Sequence, residues 1–250
     1  MNHALLFWLN GLIGHSPGAF EFALALCGQL PLVLCVAAML AWWWTDAADT
    51  RDRPVLGAPL TTLGRAVPES RCRAIALGVA VAAAFLVTRL VASAAGGTRP
   101  LGHETLQVPI DPVRWEVLVA GMTGFGAFPS DHAALYFAFA VGLFGWSRTA
   151  GVLATLCAVV FSVARVAVGF HYPSDIAAGA VIGAGAAGVA MAVTPRWLAA
   201  LSGAAALFDR FPRVMYPLMF VAALDFTQHF RLLAGVVFAT VYKLAGMANG

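Results

Sequence analysis

The sequence predicts an all-α protein: a polytopic membrane helical bundle with five to six transmembrane helices and an N-terminal interfacial helix. Hydrophobic residues make up 61% of the 250 residues and charged residues only 11%, whereas an ordinary soluble domain is roughly 25% charged. A chain so poor in charge has to place much of its surface against lipid. Because each crossing takes about 20 apolar residues, no room is left for a soluble domain, and we predict one domain over residues 1–250.

The helices are predicted from runs of apolar residues between polar links. Residues 4–13 are apolar but too short to cross a bilayer, so they predict the interfacial helix. Five spans are expected, over 19–44, 74–95, 132–147, 151–168 and 174–193. Short links make the last three antiparallel neighbours. In the fifth span, Gly179 and Gly183 are four residues apart, which favours close helix packing in lipid.

The remaining segments are less regular. Residues 96–111 are rich in Gly, Pro, His and Glu and predict a loop, which 113–128 continue with only a short apolar run. Towards the C-terminus, the apolar runs 214–224 and 232–242 flank a polar cluster: Asp225, His229 and Arg231. Residues 196–250 therefore fit either one kinked sixth span or two amphipathic surface helices.

Basic residues predict the orientation of the bundle. Nine arginines fall on one side of the predicted spans: Arg51, Arg53, Arg65, Arg71, Arg73, Arg148, Arg196, Arg210 and Arg213. Because an excess of arginine marks cytoplasmic loops, the N-terminus and residues 96–131 are expected outside. The net charge of +3 is too small for a nucleic-acid surface.

Three short motifs fall at helix ends on this external face. They are Arg99-Pro100, then Pro129-Ser130-Asp131-His132, and finally Arg165, His171 and Asp175 in the spacing RxxxxxHxxxD. Proline followed by Ser and Asp is a helix-start signal, so two helix N-termini point outward. Such ends bind phosphate through free N–H groups and the helix dipole. Arg99 and Arg165 add planar cations that suit phosphate oxygens.

Two histidines lie between these groups. His171 precedes Asp175 by four residues, so the carboxylate is expected to accept from one ring nitrogen and leave the other free to attack. His132, one residue inside its helix, is placed to protonate a leaving group. The set therefore contains a nucleophile, an orienting acid, a general acid and oxyanion donors.

The motifs resemble those of the type 2 phosphatidic acid phosphatase family, KxxxxxxRP, PSGH and SRxxxxxHxxxD, over residues from about 74 to 193. Asp131 replaces the glycine of the second motif. The run Phe-Pro-Ser-Asp-His-Ala is similar to the bacitracin-resistance type of undecaprenyl diphosphate phosphatase. The resemblance implies a phosphohistidine on His171, oriented by Asp175, with His132 protonating the leaving group. It also implies that Arg99, Ser130 and Arg165 hold the phosphate, and that neither metal nor cofactor takes part.

The chain departs from the family pattern at two further positions. The lysine of the first motif falls at Ala92, and the serine of the third at Ala164. Arg89, one helical turn before Ala92, is either a substitute for the lysine or an arginine that snorkels to the outer interface. We therefore include Arg89 and Asp131 among the candidate phosphate-binding residues.

The function expected from these features is hydrolysis of a lipid phosphate or diphosphate at the external face of a bacterial inner membrane. Undecaprenyl diphosphate is the first substrate expected, with phosphatidic acid, phosphatidylglycerol phosphate and the phosphates of lipid A as alternatives. A phosphotransferase and a non-catalytic lipid binder or transporter are alternative functions. A metal hydrolase is a further alternative, with His132, His171, Asp131 and Asp175 as its ligands.

Overall fold

The predicted all-α membrane bundle is confirmed. A computed structural model describes residues 2–28, 30–49, 69–95, 97–123 and 126–228, and within these ranges the regular structure is helical and contains no strand. The helices are α1 Asn2–Ile13, α2 Pro17–Cys27, α3 Leu30–Asp49, α4 Glu69–Ala95, α5 Pro112–Thr123, α6 Asp131–Leu143, α7 Arg148–Ala167, α8 Pro173–Arg210 and α9 Pro212–Thr227.

Helices α4, α7 and α8 are long and apolar enough to cross a membrane. The first predicted span, 19–44, is not one straight helix, because α2 and α3 meet at a bend of 45° and pass the same test only together. Helix α2 ends at Cys27, and the N–H of Gly28 bonds to the Ala25 carbonyl in a tight last turn. Helix α6 is apolar but only 13 residues long. The number of spans therefore stays a prediction.

The structure refines several of the predicted segments. Residues 112–123 form helix α5 instead of continuing a loop, because the Asp111 carboxylate accepts from the Arg114 N–H at 2.9 Å and caps a helix that begins with proline. Helix α8 runs to Arg210, past Pro195, because Ala and Leu favour helix beyond it. Helix α9 covers the run 214–224, whereas 232–242 lie outside the described residues.

Helix α1 packs against α7 and the start of α8. Leu6 and Asn10, four residues apart on one face of α1, are buried. The Asn10 amide donates to the Ala167 carbonyl at 3.0 Å, and its oxygen accepts from the Gln107 N–H at 2.8 Å. The bond to Ala167 fixes α1 to the C-terminal end of α7, within the third motif. The interfacial position of α1 stays a prediction.

The centre of the bundle is α6, which packs against α4, α7 and α8. The predicted close packing of small residues is present between α6 and α8. A Cβ atom at Gly179 would overlap the Ser130 carbonyl oxygen, and one at Gly183 would overlap the Ala134 carbonyl oxygen. The two backbones therefore touch, and the N-terminus of α6 lies beside the first turns of α8.

The contact between α6 and α8 can be tested with a matched pair of glycine substitutions. Gly183→Ala should lower the free energy of unfolding by about 1–3 kcal/mol or more, because the added methyl group forces the backbones apart. Gly185→Ala lies on the same helix with open space around its Cβ position, so alanine there should be neutral or stabilise by about 1 kcal/mol. Thermal unfolding in one detergent compares the two, and equal midpoints would contradict this packing.

Candidate active site

The spacing between Arg165 and His171 is set by the way α7 ends. The Phe170 N–H donates to the Arg165 carbonyl and the Gly169 N–H to the Val166 carbonyl, both at 2.9 Å, in the pattern of a Schellman motif. Gly169 has a φ of 87°, the left-handed conformation that glycine adopts without strain. The chain then turns out of α7 and presents His171 just before α8 begins.

The partners of His171 define which ring nitrogen carries hydrogen. Its Nδ1 lies 3.0 Å from the Ala127 carbonyl oxygen and 3.6 Å from Asp175 Oδ2. Both oxygens only accept hydrogen bonds, so Nδ1 is the protonated nitrogen. Its Nε2 lies 3.1 Å from Arg99 Nη1, which only donates. Nε2 therefore carries the lone pair, and the carbonyl of Ala127, rather than the carboxylate, is the nearest acceptor for Nδ1.

Burial lowers the pKa of His171 from 6.5 to about 4. Asp175 opposes this shift, whereas the positive charges of Arg165 and Arg99 add to it. The side chain of His171 is only 1% exposed, so water does not stabilise an imidazolium there. His171 is therefore neutral at pH 7, with an unprotonated Nε2.

Arg99 is held against this ring by backbone oxygens. Its Nε donates to the Met122 carbonyl at 3.1 Å at the end of α5, and its Nη1 donates to the Phe170 carbonyl at 3.0 Å. The residues after Arg99 form a 3-10 turn over Pro100–Gly102, and the Leu101 N–H bonds to Gly169. Hydrogen bonds therefore hold the first motif, Arg99-Pro100, against the turn that carries His171.

Asp175 completes the start of α8. Its Oδ2 accepts from the Tyr172 N–H at 2.9 Å, which is the carboxylate half of a capping box. Its backbone carbonyl accepts from the Ser130 N–H at 3.0 Å. Ser130, in turn, is the N-cap of α6 and accepts from the Ala133 N–H at 3.4 Å. The second and third motifs are therefore joined directly through the backbone.

His132 pairs with the residue before it. Its Nδ1 and its backbone N–H both lie 2.8 Å from Asp131 Oδ1. The other carboxylate oxygen, Oδ2, lies 3.7 Å from Nη1 of Arg89 on α4. The structure thus places Arg89 at the edge of the site, in an ion pair with the aspartate that replaces the family's glycine.

Arg165 and Ser130 lie at the site, but their hydrogen bonds in the structure are to the protein. The Nη1 atom of Arg165 donates to the carbonyl of Cys27 at the end of α2, at 2.9 Å, and its guanidinium lies over the ring of Phe170. Arg165 Nε is buried without a hydrogen-bond partner in the described part of the chain. Phosphate binding by these two residues stays a prediction.

A polar cluster beside the candidate site was not predicted by any of the three motifs. It contains Asn2, His3, Glu104, Tyr172 and Ser174. Glu104 accepts from the Tyr172 hydroxyl at 2.7 Å and lies 3.1 Å from His3 Nδ1. Asn2 donates to the Ser174 hydroxyl at 3.0 Å. Burial and the bond to Glu104 raise the pKa of Tyr172 to about 12. The first residues of α1 are therefore bonded to the start of α8, next to His171.

The family is established by comparison with known proteins. A family model described as the PAP2 superfamily matches residues 73–199, about half of the chain. The chain therefore belongs to the PAP2 superfamily, which confirms the resemblance seen in the motifs. Together with its long apolar helices, this membership makes it an integral membrane protein and a membrane lipid phosphatase of the PAP2 type.

Two known proteins are similar to parts of this chain. The bacitracin transport permease protein BcrC of Bacillus licheniformis is 39% identical over 57 residues, which cover 23% of this chain and only 28% of that protein. The putative undecaprenyl-diphosphatase YbjG of Escherichia coli strain K12 is 23% identical over 188 residues, 73% of this chain and 77% of that protein. No solved structure matches the chain significantly.

Proposed function

We propose that this protein hydrolyses a lipid phosphate or diphosphate through a phosphohistidine intermediate on His171. The observation that carries the proposal is the ring geometry of His171. Its Nδ1 faces the carbonyl of Ala127, and its Nε2, which holds the lone pair, faces the guanidinium of Arg99. A neutral imidazole held in one tautomer beside a donor for phosphate oxygens is suited to attack phosphorus.

The first step transfers phosphate to the enzyme. The Nε2 lone pair of His171 forms a bond to phosphorus while the bond from phosphorus to the leaving oxygen breaks. His132 gives its Nε2 proton to that oxygen. The phosphorylated ring becomes positively charged, and the Asp175 carboxylate, 3.6 Å from Nδ1, offsets that charge.

The second step releases the phosphate. A water molecule attacks phosphorus and gives a proton to Nε2 of His132, while the bond from phosphorus to His171 Nε2 breaks and its electron pair returns to the ring. Both histidines are then back in their starting states, and inorganic phosphate leaves. In a phosphotransferase, the hydroxyl group of an acceptor would take the place of water.

The protein itself supplies the positive charge that this reaction needs. Arg99, Arg165 and Ser130 are the proposed phosphate-binding residues, together with the N-terminal dipoles of α6 and α8. In the described residues, no group of three or more His, Cys, Asp or Glu side chains is arranged to hold a metal ion. We propose a mechanism without metal in preference to a hydrolase that uses the two histidines and two aspartates as ligands, because the Nε2 lone pair of His171 faces the positively charged guanidinium of Arg99.

We propose undecaprenyl diphosphate as the first substrate to test, because the similar protein YbjG is a putative undecaprenyl-diphosphatase. Phosphatidic acid, phosphatidylglycerol phosphate and lipid A phosphates remain alternatives. The distribution of arginines supports an orientation in which the site faces the exterior of a bacterial inner membrane.

Phosphate release tests the proposed function. Detergent-purified wild type should release phosphate from undecaprenyl diphosphate or phosphatidic acid with EDTA present, because the charges come from protein groups. His171→Ala should lower kcat by about 10³-fold or more, because the nucleophile is lost. His15→Ala, a change to an exposed histidine, is the matched control and should retain activity.

Three outcomes would contradict parts of this proposal. Loss of wild-type activity in EDTA would favour the metal hydrolase. Full activity of His171→Ala would exclude His171 as the nucleophile. Consumption of lipid phosphate without an equal amount of free phosphate would favour a phosphotransferase.

The pH dependence of kcat/KM tests the state of His171. Below its pKa, Nε2 binds a proton and loses its lone pair, so activity should fall as the pH drops through about 4. An ordinary histidine would lose activity already near pH 6.5. Measuring two substrates with different phosphate pKa values is the control, because a limb that shifts with the substrate does not belong to the enzyme. An enzyme-derived fall in kcat/KM as the pH drops through about 6.5 would contradict the buried, neutral His171.

A further inference from the structure

The carboxylate of Asp131 connects the two sides of the site. Its Oδ1 atom accepts from His132 Nδ1 at 2.8 Å, and its Oδ2 atom lies 3.7 Å from Arg89 Nη1. The three side chains are between 12% and 26% exposed, so water screens them only in part. Because Arg89 is on α4 and His132 is on α6, this carboxylate also ties two helices together at the site.

The carboxylate defines which nitrogen of His132 exchanges a proton. It only accepts hydrogen bonds, so His132 Nδ1 carries hydrogen whether the ring is neutral or charged. Nε2 is then the nitrogen that gives and takes the proton, and the ring keeps its orientation throughout. The negative charge also stabilises the imidazolium form. Arg89 offsets the repulsion that an unpaired carboxylate would exert on phosphate.

We propose that Asp131 is a positioning residue for proton transfer by His132, and that Arg89 holds its carboxylate in place. This inference rests on the proposed function and deepens it. It differs from the direct phosphate binding predicted for Asp131 and Arg89 from the sequence. It assigns a task in the reaction to the side chain that stands where the family motif has glycine.

The two roles differ in how they depend on the leaving group. Protonation by His132 matters most when the leaving oxygen is a poor leaving group and little when it departs readily as an anion. Phenyl phosphate and p-nitrophenyl phosphate are aryl esters of similar shape. Phenyl phosphate has the poor leaving group, and p-nitrophenyl phosphate has the one that departs readily. Loss of a residue that acts through His132 should therefore slow the hydrolysis of phenyl phosphate more than that of p-nitrophenyl phosphate. Loss of a phosphate-binding residue should slow the hydrolysis of both esters equally.

The first experiment compares Asp131→Asn with wild type on these two esters, using the full chain in detergent. We expect kcat/KM, which reports the steps up to phosphate transfer to His171 and not the hydrolysis step that both esters share, to fall about 10-fold or more on phenyl phosphate and less than about 3-fold on p-nitrophenyl phosphate. The matched control is Asp209→Asn, which removes a carboxylate bonded to Arg71 at 3.2 Å on the last turns of α8. It should change neither rate by more than about 2-fold. Equal losses on both esters in Asp131→Asn would overturn the inference.

A second experiment uses the lipid substrate and does not depend on the aryl esters. Because Asp131 acts through His132, Asp131→Asn should lower activity by less than about 2-fold when it is added to His132→Gln. Independent losses that multiply in the double variant would overturn the inference and leave the phosphatase function intact. Absence of phosphate release by wild type from any of the lipids would instead refute the proposed function, and this inference with it. A thermal unfolding midpoint for each variant separates lost chemistry from lost folding.

Discussion

One backbone hydrogen bond, from the Ser130 N–H to the Asp175 carbonyl at 3.0 Å, joins the two helix starts on which the rest of the site depends. It forms because Gly179 and Gly183 have no side chain between α8 and the α6 backbone. Helix association in lipid relies on such close packing, since apolar side chains gain little by leaving a hydrocarbon solvent. The packing of the bundle therefore brings His132 and His171 to the same end.

The candidate site combines a neutral histidine, His171, which we propose as the nucleophile, with surrounding cations. His171 stays neutral because it is buried and because the positive charges of Arg99 and Arg165 oppose a third positive charge nearby. The cost of burying Arg165 is offset by the carbonyl of Cys27 and the ring of Phe170. An incoming phosphate would be attracted by the same charges that keep His171 unprotonated. In the proposed mechanism, substrate binding and activation of the nucleophile thus have one electrostatic origin.

The sequence predicted those parts of the site that depend only on residues close together in the chain. Helix-start residues predicted where α6 and α8 begin, and the spacing from Arg165 to His171 is that of one helix end and one turn. The acceptor for His171 Nδ1 could not be predicted from the sequence. Every residue has a backbone carbonyl, and only the folded loop shows that Ala127 supplies this one. The use of Arg165 to bond the end of α2 likewise depends on tertiary packing. Helix α5 could have been predicted from Asp111-Pro112, a start signal hidden in an otherwise loop-like segment.

We propose that Nε2 of His171 is the nucleophile because the carbonyl of Ala127 occupies Nδ1. The experiment to make is rapid quenching during turnover, followed by digestion and separation of the two phosphohistidine isomers. We expect phosphate on the Nε2 nitrogen of the peptide that contains His171, and none on that peptide from His171→Ala. Phosphate on Nδ1 of His171, or on His132, would contradict it.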